Sequence, residues 1–256
     1  MIHFECTMCG KCCHDLKLPL SVDEAIAWLE RGTDIQILCE AVPWPEEPPA
    51  DNLQAQYKRG QSFPASSGEL PTRIMVILAA AFTGPCPNLG PDMRCGIYEE
   101  RPRVCRIYPA EINPFVPLMP EQKQCPPEAW TPDRPVYAVN QQIVDATTMA
   151  LIQQSRDANC ADTTAKALAC AYLDIKVAAL ANEGFAIFSP HREAALSALR
   201  RARDAAALAQ DVPSWTIVSN RTATVDTLNS IGALSVFPSA SEPASFEYLG
   251  FFPATT

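Results

Sequence analysis

The chain of 256 residues has few histidines and no long apolar run. Its three histidines are scattered and no HExxH motif occurs, which excludes the nitrogen-rich zinc site of a hydrolase. The longest apolar stretch, residues 74–82, is much shorter than the roughly 20 residues of a membrane-spanning helix. The first residues lack the basic start and apolar run of a secretory signal. We therefore expect a cytoplasmic protein with no membrane contact.

The short motifs of the common enzyme classes are also missing. The sequence has no GxGxxG dinucleotide loop, no phosphate-binding P-loop and no serine-hydrolase elbow. With 20 basic and 29 acidic residues the net charge is −9, which would repel a nucleic-acid backbone. We expect no nucleic acid as a partner, and no residue can be assigned a catalytic role.

What the chain does have is cysteine, eleven in all. In a reducing cytosol thiols stay reduced, and an odd number cannot all pair within one chain, so a disulfide framework is the poorer interpretation. Thiols crowded into one half of a chain are typical ligands of a soft metal ion. The predicted metal ligands are Cys6, Cys9, Cys12, Cys13, Cys86, Cys95, Cys105 and Cys125.

The first four of these thiols form a compact motif. Each CxxC pair can place two sulfurs on one side of a tight turn, and Gly10 lets the backbone bend around an ion. Cys12 and Cys13 are adjacent and should point apart, so one of them would serve a second site or a redox role. Two four-sulfur sites, or one such site and a dithiol pair, both stay open. All-sulfur coordination fits an iron–sulfur cluster, which we favour as [4Fe–4S], or tetrahedral zinc as the alternative.

Two arginines flank the seventh predicted ligand. Arg101 and Arg106 surround Cys105, and guanidinium groups stabilise the net negative charge of a thiolate-bound metal, so we predict that both contact the cofactor. A solvated helix face is the alternative. The remaining cysteines, Cys39, Cys160 and Cys170, lie in apolar or helical contexts and are predicted to pack in the core.

Local patterns predict the elements along the chain. Ser21 and Glu24 have the spacing of a capping box that begins a short helix, and the run from Arg73 to Phe82 predicts a strand. Helical spacing of apolar residues predicts helices over 136–150, 168–179 and 196–206. The runs at 215–218 and 233–237 predict short strands or an ordered tail, and the C-terminal aromatics should pack back on the body.

A proline-rich stretch, with six prolines over residues 117–135, separates two compositions. The sequence before it is rich in cysteine and loops, and the sequence after it is rich in alanine. We therefore predict an α+β protein in which a loop-rich metal-binding domain, residues 1–130, is followed by a mainly helical region, residues 131–256.

The CxxCxxCC start and the later CxIYxxRPxxCRxYP pattern together resemble the YkgJ-type cysteine cluster family over about residues 1–130. The resemblance implies zinc or iron chelation. The same region is similar to the front of the flagellin lysine N-methylases, where it is linked to an iron–sulfur cluster and methyl transfer from S-adenosylmethionine. Residues 131–256 match no methylase feature.

The functional prediction is a metal-binding protein that holds an iron–sulfur cluster or zinc through its cysteines and acts in redox chemistry or in modifying another protein. The alternatives are an S-adenosylmethionine-dependent protein lysine N-methylase and a structural or interaction protein stapled by zinc. Another protein is the expected partner, as substrate or client. Whether the chain is an enzyme, and its oligomeric state, stay open.

Overall fold

The computed structural model describes residues 1–205, 212–238 and 245–254 and divides into two compact units. The cysteine unit consists of Met1–Leu20 and Ala80–Ala158, and the sheet unit of Ser21–Ala79 and Asn159–Thr256. Each unit is thus made of two chain segments, whereas the sequence predicts one boundary after residue 130, which stays a prediction. The α+β fold class is confirmed.

The cysteine unit has little regular structure, and a small apolar core holds its loops. Strands β1 (Ile2–His3), β6 (Val136–Val139) and β7 (Gln142–Ile143) form an antiparallel sheet. The unit also contains strand β2 (His14–Leu20), helix α3 (Arg103–Ile107) and most of helix α4 (Ala146–Ala161). In the core, the Phe4 ring lies 4.7 Å from Trp130 and 5.2 Å from Tyr137, centroid to centroid.

The sheet unit carries most of the regular structure. Its first segment contains helix α1 (Val22–Glu30), strand β3 (Ile35–Pro43), helix α2 (Leu53–Gly60), strand β4 (Ser62–Ser67) and most of strand β5 (Leu70–Pro85). Its second segment contains α5 (Thr163–Tyr172), β8 (Val177–Leu180), β9 (Gly184–Phe188), α6 (Arg192–Arg203), β10 (Thr216–Val218), α7 (Thr222–Ser230), β11 (Ser235–Val236) and β12 (Glu247–Gly250).

The sheet of this unit is mixed. Strands β11, β10, β8 and β3 are parallel neighbours in that order, while β9 pairs antiparallel with both β3 and β12, and β4 pairs antiparallel with β5. The central strands bury Ile37, Ile187 and Ile217 almost completely. Such short, continuously apolar strands are typical of a sheet covered on both faces.

Several sequence predictions are confirmed. The capping box at Ser21 and Glu24 begins α1, and the apolar run from Arg73 lies within strand β5. Helix α6 (Arg192–Arg203) covers the predicted helix from residue 196 to Arg203 and begins four residues earlier, and Ala206 lies outside the described residues. The C-terminal aromatics do pack back, since the ring of Phe246 lies 5.7 Å from that of Phe188.

Two helix predictions are wrong in part. Residues 136–143 form a hairpin, because Asn140 and Gln141 have φ values of 47° and 65° and make the two-residue turn that joins β6 to β7. The predicted helix at 168–179 ends at Tyr172 in α5, and Val177–Leu180 is a strand. Short apolar runs have no periodicity that separates a buried strand from a helix, which explains the second error. In the described ranges no helix is long and apolar enough to span a bilayer.

Candidate metal centre

All eight cysteines predicted as ligands lie in the cysteine unit, and all but one are on irregular segments. The first four occupy the loop between β1 and β2, and Cys86 and Cys95 lie in the loop that follows β5. Cys105 lies on α3, and Cys125 lies between two short 3-10 helices, Pro120–Gln122 and Pro127–Ala129. All eleven cysteines of the chain are free thiols.

The first cysteine loop is built from tight turns. The Cys13 N–H donates to the Gly10 carbonyl at 3.0 Å. The Met8 N–H donates to the Cys6 sulfur at 3.4 Å. Gly10 has φ +68°, and a Cβ at this position would lie only 2.6 Å from the Met93 carbonyl oxygen. The lack of a side chain at Gly10 therefore lets the first loop approach the second.

The second cysteine loop is joined to the end of the first through the backbone. The Cys86 N–H donates to the Cys13 carbonyl at 2.8 Å. Leu89 and Cys95 form an isolated antiparallel bridge, and the Gly96 N–H donates to the Asn88 carbonyl at 2.7 Å. These bonds bring Cys13, Cys86 and Cys95 into one region of the unit.

The thiol of Cys105 lies near the same region. Helix α3 contacts β2, which begins directly after Cys13. Burial raises the pKa of Cys105 to about 12, and negative charge on Cys13, Cys86 and Cys95 acts in the same direction. The direction of these effects agrees with the placement of Cys105 beside Cys13 by the contact of α3 with β2.

The thiol of Cys125 lies in a different group. Burial raises its pKa to about 11, with further raising contributions from charge on Cys6 and on Cys9. The Tyr108 hydroxyl accepts the Gln124 N–H at 2.7 Å and also hydrogen-bonds the Cys125 thiol. Tyr108 therefore fixes the segment that carries Cys125.

Cys12 and Cys13 connect the two groups. A hydrogen bond between their side chains lowers the pKa of Cys13 to about 6, while positive charge on His14 and Arg101 acts in the same direction. The hydrogen bond raises the pKa of Cys12, as do burial and charge on Cys125. The more acidic thiol of the pair is thus the one with cationic neighbours.

The two arginines named from the sequence have different surroundings. The Arg101 guanidinium stacks on Tyr98 at 3.7 Å from the ring centroid and donates to the Tyr98 carbonyl at 2.9 Å. Its charge lowers the pKa values of Cys13 and Cys105, so Arg101 lies close to both thiols. Arg106 is exposed and lines a cleft of about 510 Å³ together with residues of α4, and its predicted cofactor contact stays a prediction.

The donor set fits a soft metal. It combines thiols with N–H donors to sulfur, such as the Met8 N–H to Cys6, and with the positive charge of Arg101, which are features that stabilise thiolate-bound metals. As the side chains stand, no three His, Cys, Asp or Glu groups of the described ranges are arranged to hold a metal ion. A rotation about χ1 from one rotamer to another moves a cysteine sulfur by roughly 3 Å. Metal binding would therefore need such rotations in cysteines whose backbones are already neighbours.

The cysteines outside this unit differ from one another. Cys39 and Cys170 are almost completely buried in the sheet unit, which confirms their predicted core packing. The same prediction for Cys160 is wrong, because it lies in the last turn of α4 with its side chain exposed. No sequence pattern marks Met93, whose carbonyl oxygen faces Gly10 across the two cysteine loops.

Comparison with known families agrees with this geometry. A family model described as "CxxCxxCC: Putative zinc- or iron-chelating domain" matches residues 5–126. The matched range contains all eight thiols of the cysteine unit together with Arg101 and Tyr108. No curated protein and no solved structure matches the chain significantly.

Proposed function

Residues 5–126 belong to the CxxCxxCC family of zinc- or iron-chelating domains, and from this premise we propose that the cysteine unit holds an iron–sulfur centre, with [4Fe–4S] as its preferred form. Zinc, which the family description also names, is the alternative metal. In either case the residues that would hold the metal are the eight thiols of the unit. A bound iron–sulfur cluster would supply one-electron chemistry, and bound zinc would supply structural closure.

The observation that carries the proposal is the concentration of these thiols on three neighbouring loops and one short helix. The backbone bond from Cys86 to Cys13 and the close approach of Gly10 to Met93 join loops that are far apart in sequence. Packing does not account for these eight thiols, because seven of them are half-buried and Cys6 is exposed. Thiols that only fill a core would be buried, as Cys39 and Cys170 are.

Two features suit an iron–sulfur cluster. N–H groups hydrogen-bond to sulfur at Cys6 and, from the Asn88 backbone, at Cys86. Arg101 supplies positive charge near Cys13 and Cys105. Hydrogen bonds and nearby charge set the reduction potential of such clusters, whereas a purely structural zinc site has no potential to adjust.

We further propose that the centre serves redox chemistry or the modification of another protein, which would be the partner. The methylase alternative gains no support from the described residues and stays a prediction. Calorimetric titration of the metal-loaded protein with S-adenosylmethionine separates the methylase alternative from this proposal. A heat of binding is expected only from a methylase, which must bind this methyl donor.

The test of the metal itself is purification without oxygen, followed by analysis of iron, acid-labile sulfide and zinc. A brown protein with broad visible absorption and comparable amounts of iron and sulfide would support the iron–sulfur proposal. A colourless protein with stoichiometric zinc would replace it by the zinc alternative. The variant Cys160→Ser, which changes an exposed thiol outside the cysteine unit, is the matched control and should retain the full metal content.

A further inference from the structure

Asn88 lies in the second cysteine loop, two residues after Cys86, and its backbone is held from both sides. The Leu89 N–H donates to the Cys86 carbonyl at 2.9 Å, which closes a four-residue turn over residues 86–89. The Gly96 N–H donates to the Asn88 carbonyl at 2.7 Å. The backbone of Asn88 is therefore fixed, and these bonds leave its side chain uncommitted.

The side-chain nitrogen of Asn88 is a buried hydrogen-bond donor without an acceptor. This atom has almost no contact with solvent, and within the described ranges it completes no hydrogen bond. An amide nitrogen carries two N–H donors, and a buried donor that stays unpaired costs about 1–3 kcal/mol. Buried polar groups are almost always paired, so an unpaired donor points to an acceptor that binds beside it.

The acceptor beside this amide is the sulfur of Cys86. The backbone N–H of Asn88 already donates to this sulfur, so the turn places residues 86 and 88 side by side. The side-chain amide also acts on the thiol as a donor, although the two groups do not complete a hydrogen bond. A neutral thiol is a weak acceptor, whereas hydrogen bonds to a charged acceptor are roughly twice as strong as neutral ones. A metal-bound thiolate at Cys86 would therefore pair the amide.

The residues around Asn88 offer no other side-chain donor to this sulfur. Pro87 has neither a backbone N–H nor a polar side chain, Leu89 is apolar, and Gly90 has no side chain. An asparagine at position 88 is therefore the one side chain of residues 87–90 that can donate to Cys86.

We infer that Asn88 is a positioning residue of the metal centre, whose side-chain amide donates to the metal-bound thiolate of Cys86. This inference rests on the proposed function and adds to it a residue outside the cysteine motifs. The donor fixes the orientation of the sulfur ligand and withdraws electron density from it. In an iron–sulfur cluster this stabilises the reduced state and raises the reduction potential.

The test is a double-mutant cycle on the full chain, loaded with Co²⁺ without oxygen and titrated with a chelator. Asn88→Leu keeps a side chain of similar size without a donor, and it should weaken Co²⁺ binding about tenfold, as the loss of a hydrogen-bond partner of a metal ligand does. In the Cys86→Ser background the same substitution should cause almost no further loss, because the acceptor of the amide is gone.

The thiolate-to-cobalt charge-transfer band gives a second measurement. The loss of a donor to sulfur raises the energy of the sulfur electrons, so the band should move to longer wavelength in Asn88→Leu. A purely structural role of Asn88 would not move this band.

Asn113→Leu is the matched control. Asn113 belongs to the same unit, and its side chain accepts the Phe115 N–H at 3.0 Å in a turn without cysteine. This variant should bind Co²⁺ and absorb as the unchanged chain does. If circular dichroism shows that Asn88→Leu does not fold, Asn88→Asp, which keeps the shape and loses the donor, takes its place in the cycle.

The outcomes separate this inference from the proposed function. A loss of Co²⁺ affinity in Asn88→Leu that disappears in the Cys86→Ser background, together with the shift of the band, supports the inference. Full additivity of the two losses, or a band that does not move, would show that it is wrong while metal binding stands. If the unchanged chain binds neither Co²⁺ nor iron, the proposed function itself fails.

Discussion

The substitution Gly10→Ala should separate the two cysteine loops and weaken metal binding. The left-handed φ of +68° costs an alanine about 1–2 kcal/mol. The added Cβ would also lie 2.6 Å from the Met93 carbonyl oxygen, well inside the 3.0 Å below which Cβ contacts essentially never occur. The loops must therefore move apart by a few tenths of an ångström or more. We expect a total loss of about 2–4 kcal/mol in the free energy of unfolding.

Gly84→Ala is the matched control for this prediction. Gly84 lies in the same unit and has a similar φ of +77°, but a Cβ there would have no neighbour within 4 Å. It should therefore lose only the conformational part, about 1–2 kcal/mol, and keep the metal. The difference between the two variants isolates the contact between the loops.

The assay is urea unfolding of both variants, combined with competition between the metal-loaded protein and a chelator. Gly10→Ala should release its metal to the chelator at least several-fold more readily than Gly84→Ala. Equal unfolding free energies and equal metal retention in the two variants would refute the argument that the approach of Gly10 to Met93 positions the thiols.

Three further predictions concern other parts of the chain. Tyr108→Phe removes the hydroxyl that accepts the Gln124 N–H, and this loss should lower the free energy of unfolding by about 1 kcal/mol. It should also speed the release of metal to a chelator, and an unchanged release rate would contradict this prediction. Burial lowers the pKa of Lys166, so between that lowered value and the ordinary value of about 10.4 the unfolded chain binds more protons and the free energy of unfolding rises with pH. Lys166→Met should flatten this rise in urea unfolding as the pH approaches about 10, and an equal rise in both proteins would count against it. Glu183→Ala leaves the buried Ser219 hydroxyl without its acceptor and should cost about 1–3 kcal/mol in urea unfolding, whereas no loss would show that the bond is dispensable.

The sequence predicted the chemistry of the site better than its geometry. The spacing of the first four cysteines and the turn at Gly10 indicate soft-metal ligands, because CxxC pairs on tight turns bring sulfur atoms together. The sequence could not show which cysteines are neighbours, since the backbone hydrogen bond from Cys86 to Cys13 joins residues more than seventy positions apart. Periodicity and motif spacing carry no information on such a contact.

The fold was predictable where local signals are strong. The capping box at Ser21 and the apolar run in β5 have distinct patterns and were identified correctly. Val136, Val139 and Ile143 fit helical spacing, so the sequence predicts a helix where residues 136–143 form a hairpin. The positive φ values at Asn140 and Gln141 make the turn of the hairpin and exclude a continuous helix. Neither residue is a glycine, so the sequence does not mark this turn.

The most direct test of the account is the metal and sulfide content of the full chain prepared without oxygen. We expect iron and acid-labile sulfide in comparable amounts, with visible absorption that is lost when the eight cysteines of the cysteine unit are changed to serine and kept in Cys160→Ser. A chain that stays free of iron and zinc after reconstitution, with its eight thiols fully reactive toward alkylating reagents, would contradict the account.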